Sequence, residues 1–281
     1  MAEGLSTDPN TFLKDEARAS LYEKLIKQPR RNEMPKILRT EGIVLKTHNF
    51  RETSRIITVF SKDFGRLKLL AKGIRKPGSR FGGTLELFTH SSVIFYQKET
   101  REIHTLSDSH ILYSFDRLRS ELASFTLASK ISHFLVSGTP DEEPHPELFR
   151  STLSALKLLE KDPSRILVWA YFIKALAELG YSPELRRCVE CGNPSPSTVF
   201  SIERGGLVCS ECTATGLALN LSRESLAALK AAQEWDLQRL TKLRIPVVQE
   251  DEIDKFVSRF VRYHLNLEVS LGPLSDSWPF K

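Results

Sequence analysis

Short apolar segments alternate with polar, turn-forming residues between residues 37 and 108. The segments are rich in β-branched and aromatic residues, which is typical of β-strands. They are IVLKTHNF, RIITVF, RLKLLAK, TLELF, SSVIFYQK and EIHTLS. Five or six strands within about 70 residues predict a small closed barrel.

From about Phe115 onward the apolar residues recur at the spacing of α-helices instead. The first helix is expected to end before Gly138, and its apolar side consists of Leu118, Leu122, Phe125, Ile131 and Phe134. Later helices are predicted to begin at Pro146, at the Asp162–Pro163 cap, near Ser222 and near Glu250. The pattern therefore predicts an α+β chain in which a barrel precedes a helical domain.

The changes of period also suggest domain boundaries. We expect an N-terminal extension at residues 1–36, helical or disordered, then a barrel domain at 37–112 and a helical domain at 113–270. A cysteine-rich insert occupies 186–215, and 271–281 form a loose tail. Because the sequence has no run of 18 apolar residues and no signal peptide, we expect a cytoplasmic protein without a membrane span.

Positive charge is concentrated in the barrel segment. Residues 36–80 contain 12 Lys or Arg and three acids, a net charge of +9, whereas the rest of the chain carries −4. A local cationic patch points to a polyanionic partner more strongly than the overall charge of +5 does. A solvated surface without a partner is the alternative.

The densest part of this patch is the segment AKGIRKPGSR at residues 71–80. Gly73 and Gly78 have the spacing of P-loop glycines, but Ser79 and Arg80 stand where a P-loop has Lys and Ser or Thr. The proline between the glycines also lacks a backbone N–H that could bind phosphate. We therefore interpret the segment as a loop that binds a nucleic-acid backbone and not a nucleotide.

All four cysteines lie in one segment, with the spacing Cys188-x2-Cys191-x17-Cys209-x2-Cys212. This spacing is typical of a structural zinc site in which each Cys-x2-Cys pair supplies two thiolates. Four sulfur ligands close the coordination shell, so Zn2+ is expected to fold the insert and not to catalyse. Two disulfides or four free thiols are the alternatives, and disulfides are disfavoured in a reducing compartment.

No other motif predicts an active site. The seven histidines show no metal-ligand spacing and are interpreted as mostly surface or boundary residues. Asp141, Glu142 and Glu143 could be a Mg2+ site, but on a proline-flanked loop a solvated linker is the preferred interpretation. We therefore predict no catalytic residues, and we expect that the protein is not an enzyme.

The segment EGIVLKTHNFRETSRIITVFSKDFGRLKLLAKGIRKPGSRFGGTLELF resembles the N-terminal domain of the RecO family, which are bacterial recombination mediators. The shared features are the GIVL start, the Phe50-Arg51-Glu52 turn, the turn from Phe60 to Gly65 and the AKGxRKxxSR loop. The helical body and the four-cysteine insert also lie where many members have them. The resemblance covers about residues 37–270 and leaves the extension at 1–36 outside.

This resemblance implies an OB-fold followed by a helical domain with a zinc-binding insert. It implies binding of single- and double-stranded DNA, annealing of complementary strands, and help in loading recombinase onto DNA coated with single-strand-binding protein. The implied partners are RecR and the C-terminal tail of single-strand-binding protein. Two other classes stay open: an adaptor whose basic patch binds an acidic protein, and a metal-dependent nucleic-acid enzyme, against which the all-cysteine site argues.

The strand period in RLKLLAK places Arg66, Lys68 and Lys72 on one face. The predicted phosphate contacts are Lys68, Lys72, Arg75, Lys76 and Arg80, followed by Arg39, Arg51 and Arg55. Candidates for base stacking are Phe50, Phe81 and Tyr96, with a core position as the competing interpretation for the two phenylalanines. Because phosphate contacts carry no sequence information, binding should be sequence-tolerant and sensitive to salt.

Overall fold

The computed structural model describes residues 36–97, 102–194, 197–212 and 216–271. Within these residues a five-stranded barrel is followed by a helical domain, into which a small three-stranded sheet is inserted. The prediction of an α+β fold with an N-terminal barrel is confirmed. The helix predicted in the N-terminal extension and the predicted loose tail lie outside the described residues, apart from Lys36 and Leu271.

Five strands close the barrel: β1 Lys36–Phe50, β2 Ser54–Ser61, β3 Gly65–Ala71, β4 His90–Gln97 and β5 Ile103–Tyr113. Their order around the barrel is β1-β2-β3-β5-β4. β3 and β5 pair in parallel, whereas the other neighbours are antiparallel. A five-stranded barrel of this kind is an OB-fold.

The barrel interior follows the period of two along its strands. In β3, Leu67, Leu69 and Ala71 are buried as predicted, while Arg66 and Lys68 lie on the outer face. Leu67, Leu69 and Ala71 pack inside the barrel with apolar residues of the other strands. Burial of this apolar surface favours closure of the barrel.

The segment TLELF was predicted as a strand, and this prediction is wrong. The segment forms turns, in which the Thr84 N–H donates to the Phe81 carbonyl oxygen at an N···O distance of 2.9 Å. Phe88 has a φ of 66°, which ends any extended conformation. Leu85 is nevertheless buried in the barrel, and Phe88 is buried against the helices. The apolar pattern correctly predicts that these side chains are buried, but it does not predict that the backbone forms turns.

The helices of the described chain are α1 Asp116–Ser120, α2 Leu122–Gly138, α3 Pro146–Lys161, α4 Arg165–Glu178, α5 Arg223–Glu234, α6 Leu237–Leu240 and α7 Val247–Leu265. The predicted start at Pro146 is confirmed. Ser222 caps α5, because its side-chain oxygen accepts the Ser225 N–H. None of the helices in the described ranges is long and apolar enough to cross a membrane.

Two predicted helix details are wrong. Glu121 has an extended backbone that separates α1 from α2, so Leu122 is 77% exposed and does not share the apolar side. Asp162 does not begin α4, because it ends α3 by donating its N–H to the Leu158 carbonyl oxygen; α4 then follows Ser164.

The cysteine insert contains β6 Val199–Ser201, β7 Gly206–Leu207 and β8 Ala218–Asn220, arranged in the order β7-β6-β8. Phe200 of β6 is fully buried, and its ring lies edge-on against Phe256 of α7 with the ring centroids 4.8 Å apart. The insert is therefore attached to the helical core by aromatic packing.

One apolar core joins the barrel to the helices. Ile43 and Leu45 of β1 and Phe60 of β2 belong to the same cluster as the buried side chains of the helical domain. The Phe60 ring centroid lies 6.2 Å from that of Phe149 in α3. Because this side of the barrel is covered, a nucleic acid would have to bind on the remaining surface.

Candidate nucleic-acid interface and metal centre

The loop after β3 carries four exposed cations, which are Lys72, Arg75, Lys76 and Arg80. Consecutive turns shape the loop: the Lys76 N–H donates to the Gly73 carbonyl oxygen, and the Ser79 N–H donates to that of Lys76, both at 3.1 Å. Gly73 and Gly78 both have a φ of 72°, which residues with a Cβ rarely adopt. Within the part of the chain that the structure describes, none of the four cations forms an ion pair with a carboxylate.

The turn between β1 and β2 adds Arg51 to this loop. The Arg75 N–H donates to the Thr53 carbonyl oxygen at 3.0 Å, which joins the turn to the loop. The Arg51 guanidinium carbon lies 5.2 Å from the centroid of the Phe50 ring. The two segments together form what we call the cationic surface, made of Arg51, Lys72, Arg75, Lys76 and Arg80.

The predicted cationic face of β3 is compensated within the protein. Asp141, in the loop between α2 and α3, places Oδ1 2.8 Å from Arg66 Nε and Oδ2 2.7 Å from Lys68 Nζ. The Glu142 N–H also donates to the Arg66 carbonyl oxygen at 3.0 Å. Residues 141–143 are exposed, as expected of a solvated linker, but the loop is also docked on the barrel, which the sequence did not predict. Lys68 and Asp141 are 73 residues apart, and their pairing is a tertiary contact.

His104 of β5 also holds this loop. Its side chain is almost fully buried, and Nε2 lies 3.0 Å from Glu142 Oε1. The interpretation of the histidines as mostly surface or boundary residues does not apply to it. No signal in the sequence marks His104, because its partner is 38 residues away and belongs to another domain.

Two of the predicted phosphate contacts already have polar partners on the barrel. Arg39 Nε donates to Ser92 Oγ at 3.1 Å. Arg55 Nη1 lies 3.6 Å from a Glu86 carboxylate oxygen, and Arg55 Nε donates to Asn49 Oδ1 at 3.3 Å. A phosphate contact by either arginine stays a prediction.

The aromatic candidates differ in exposure. Phe81 is 1% exposed inside the barrel, and Phe50 is 5% exposed in a small cluster with Ile56 and Leu70. This burial favours the alternative in which both phenylalanine rings fill a core. Tyr96 is half-buried while its neighbour Phe95 is fully buried, as the strand period predicts. Tyr96 is therefore the remaining candidate for base stacking.

The four cysteines converge on one point, with all four Sγ atoms within 4.8 Å of one another. Cys191 Sγ and Cys209 Sγ are 3.8 Å apart. A tetrahedral site with Zn–S bonds of about 2.3 Å has neighbouring sulfurs about 3.8 Å apart, so the spacing and the donor set fit a zinc ion. The cysteines form no disulfide, which excludes that alternative for this conformation.

The backbone around the cysteines favours a thiolate at Cys188. Hydrogen bonds from the backbone of Cys191 and Cys209 lower the pKa of the Cys188 thiol to about 6. A hydrogen bond with the Cys209 side chain raises the pKa of the Cys212 thiol to about 12. Negative charge on several neighbouring sulfurs is unfavourable unless a positive charge compensates it. A bound divalent cation would supply that charge.

The fold and the cysteine centre define a class of protein in which an OB-fold barrel precedes a helical domain with a candidate metal centre. The particular family follows from comparison with known proteins. The model described as "Recombination protein O N terminal" matches residues 34–115, and the one described as "Recombination protein O C terminal" matches residues 119–270. The chain therefore belongs to the recombination protein O (RecO) family, and the resemblance noted in the sequence is confirmed.

Curated relatives agree with this assignment. The chain is 32% identical over 236 residues to the DNA repair protein RecO of Pelotomaculum thermopropionicum, covering 83% of this chain and 91% of the relative. It is 31% identical over 232 residues to the DNA repair protein RecO of Salinibacter ruber, covering 82% and 89%. It is 29% identical over 244 residues to that of Desulforamulus reducens, covering 86% and 94%.

Proposed function

We propose that this protein is a DNA-binding recombination mediator that acts in DNA repair. It binds single- and double-stranded DNA without sequence preference and anneals complementary strands. The observation that carries the proposal is the cationic surface on an OB-fold, with five exposed Lys and Arg side chains from two loops that are joined by a backbone hydrogen bond. Family membership and the printed names of the relatives support the role in repair.

The chemistry of annealing needs no covalent step. Two DNA strands repel each other through their phosphates, and a protein surface that neutralises part of this charge lets them approach. Base pairing then supplies the driving force. Lys72, Arg75, Lys76 and Arg80 would contact phosphates, and Tyr96 would stack on a base, which tolerates any sequence. We accordingly propose a non-catalytic protein that binds DNA without nucleotide hydrolysis.

Two protein partners complete the proposal. We propose that the chain acts with RecR, and that its helical domain binds the C-terminal tail of single-strand-binding protein, so that recombinase can be loaded onto coated DNA. These partners come from the family resemblance, and no residue of the chain is assigned to either contact. In this proposal the cationic surface binds DNA. The alternative function is that of an adaptor whose cationic surface binds an acidic protein.

We propose Zn2+ as the ion of the cysteine centre. Cys188, Cys191, Cys209 and Cys212 would be its ligands, and the match between their sulfur spacing and a tetrahedral shell supports this. The ion would supply charge compensation and cross-link the two halves of the insert. With four sulfur ligands it would have no open position for substrate.

Salt-dependent binding of labelled single-stranded DNA, measured by fluorescence anisotropy, tests the proposed function. The variant Lys72→Ala/Arg75→Ala/Lys76→Ala is compared with the unaltered protein. If the loop contacts about three phosphates, the slope of log K against log salt should shrink by about two, at roughly 0.7 per phosphate. A matched control is Arg223→Ala/Lys242→Ala/Lys255→Ala, which removes three exposed cations of the helical domain.

The control variant should keep the full slope, because its charges lie outside the cationic surface. Equal loss in both variants would mean that only net charge matters. Unchanged affinity and slope in the loop variant would contradict the proposed DNA site and favour an acidic protein partner for the cationic surface.

A further inference from the structure

The ion pairs between β3 and the loop before α3 have an unusual order of exposure. The Asp141 side chain is 39% exposed, whereas those of Arg66 and Lys68 are 16% and 23% exposed. The carboxylate is thus the outer group, and the two cations lie beneath it. An anion that approaches from solvent would meet Asp141 first and would compete with it for the same two cations.

A pocket lies beside these pairs on the outer face of the barrel. Its volume is about 140 Å3, and it is lined by Arg66 and Lys68 of β3, Lys46 and His48 of β1, Ile56 and Thr58 of β2, and Val136 of α2. Lys and Arg head groups and a hydroxyl are the groups that bind phosphate oxygens in proteins. The pocket lies along the strand that leads into Lys72, and the four residue steps from Lys68 to Lys72 span about 13 Å.

The loop that carries Asp141 has other attachments to the barrel. The Glu142 N–H donates to the Arg66 carbonyl oxygen, and the Glu142 carboxylate meets His104. Gly65 is packed so closely on Glu143 that an added Cβ would lie 1.9 Å from the Glu143 carbonyl oxygen. The Asp141 carboxylate can therefore turn away from its cations while the backbone of the loop stays in place.

We propose that Arg66 and Lys68, with Lys46 beside them, form a phosphate-binding subsite whose resident anion is the Asp141 carboxylate. A backbone phosphate of single-stranded DNA takes the place of this carboxylate when the strand extends from the cationic surface along β3. The inference rests on the proposed DNA binding and adds the path of the strand. It also assigns Asp141 as an internal competitor that lowers affinity.

The physical basis is an exchange of one anion for another. Partly exposed ion pairs contribute little to stability and are screened by salt, so displacing Asp141 costs little. Phosphate presents charged oxygens that suit an arginine and a lysine. At no stage do the two half-buried cations lose an anionic partner, which would be the expensive event.

The test is the substitution Asp141→Asn, which removes the charge and keeps the shape and a hydrogen-bond acceptor. Single-stranded DNA binding is measured by anisotropy across a salt series. We expect tighter binding, because the phosphate no longer has to displace a carboxylate, and a salt slope at least as steep as that of the unaltered protein. The matched control is Glu234→Gln, which removes an exposed acid that is paired with Arg186 in the helical domain.

The double variant Asp141→Asn/Lys68→Ala separates a local effect from a general gain in positive charge. If the subsite is real, Lys68→Ala cancels most of the gain that Asp141→Asn produces. Retention of the gain in the double variant, or an equal gain in Glu234→Gln, would overturn the inference. Thermal unfolding of each variant verifies that it is folded.

The outcomes for the subsite and for the proposed function are distinguishable. A protein whose unaltered form binds DNA with a steep salt slope, but whose Asp141→Asn variant binds identically, retains the proposed function and lacks the subsite. If the unaltered protein does not bind DNA, the proposed function itself fails. A gain in binding of poly-glutamate without a gain for DNA would also overturn the subsite, since it would assign these cations to an acidic protein.

Discussion

At the scale of single residues, close contact between the backbones of Gly65 and Glu143 holds the loop at residues 141–143 against the barrel. Gly65 begins β3 with a φ of 62°, and its Cα faces the Glu143 carbonyl. Only a residue without a side chain can combine this conformation with this contact. The position of Asp141 relative to Arg66 and Lys68 thus depends on a glycine that takes part in no ion pair.

Gly65→Ala should lower the free energy of unfolding by about 1–3 kcal/mol, because it combines a strained φ with a clash against backbone. Chemical denaturation measures this change. Gly83→Ala is the control, since Gly83 has no positive φ and nothing lies within 4 Å of an added Cβ. Equal stability of the two variants would mean that the loop does not pack on β3 as described.

Glu252 of α7 is a second residue whose surroundings determine its chemistry. Burial alone would raise the pKa of its carboxyl group, but hydrogen bonds donated by Ser222 and Ser225 outweigh this effect and hold the pKa below its usual value. These bonds tie the first turn of α5 to α7. A carboxyl group with a lowered pKa in the folded state contributes stability above its unfolded pKa, and this contribution is lost as the pH falls through the folded value.

Glu252→Gln should therefore destabilise the protein by about 1.5–3 kcal/mol near pH 7, the range of hydrogen bonds to a charged group. The difference between variant and unaltered protein should begin to shrink below about pH 4.3, the ordinary pKa of Glu, where the unfolded state takes up a proton. It should disappear as the pH falls through the lower pKa of the folded state, where the native carboxylate becomes protonated. Thermal unfolding between pH 7 and pH 3 measures it. Glu224→Gln, in the exposed first turn of α5, should show a much smaller pH-dependent difference, and an equal one would refute the role of Glu252.

At the scale of elements, the cysteine centre and α7 together hold the insert. The strands β6, β7 and β8 are only two or three residues long, which is too little for an independent sheet. Phe200 packs on Phe256 and Phe260 from one side, and the four thiols gather on the other part of the insert. Ile202 and Leu207 of the insert also belong to the helical core, and a metal ion would add a cross-link between the two Cys-x2-Cys turns.

The purified protein should contain one zinc ion per chain with four sulfur ligands at about 2.3 Å, measurable by metal analysis and X-ray absorption. Cys191→Ser should lose the ion and open the insert to proteolysis. Its DNA-binding salt slope should stay unchanged, because the cationic surface belongs to the barrel. Ser210→Ala, next to the ligand Cys209, should keep both the ion and the protease resistance. A nitrogen or oxygen ligand at the metal would contradict the all-cysteine centre.

At the scale of the whole molecule, the two domains share one core. Ile43, Leu45 and Phe60 extend the apolar cluster of the helices into the barrel wall. Separating the domains would expose this surface to water at a cost of about 25 cal/mol for each Å2 of apolar area. The two domains predicted on either side of residue 112 thus share a core, and the boundary between them stays a prediction.

We expect the full chain to unfold in a single cooperative thermal transition, with calorimetric and van't Hoff enthalpies in agreement. Phe60→Ala should lower the free energy of unfolding by about 3–5 kcal/mol. Both domains should then unfold together at a lower temperature. Near-ultraviolet circular dichroism and calorimetry on the same sample measure this. Two separated transitions, of which only one responds to Phe60→Ala, would contradict the shared core.

The sequence by itself determined much of the local structure and the clustering of the four cysteines. The period of two in β3 correctly assigned Leu67, Leu69 and Ala71 to the interior, because alternate side chains of a strand point to opposite faces. The Cys-x2-Cys pairs predicted one cluster of four sulfurs, since each pair forms a turn that directs two thiols to one point. The composition of residues 71–80 predicts a cationic loop, and its four Lys and Arg side chains are exposed in the structure.

Only the tertiary structure decided which of the cations have their charge compensated. Lys68 and Lys72 lie on the same strand face in the sequence pattern, yet Lys68 is paired with Asp141 and Lys72 is exposed. Phe81 is a stacking candidate by sequence, but its ring is buried in the closed barrel. The segment TLELF contains strand-forming residues, but it forms turns. Periodicity reports which side chains are buried, but a charge pair between residues 73 positions apart exists only when two domains meet.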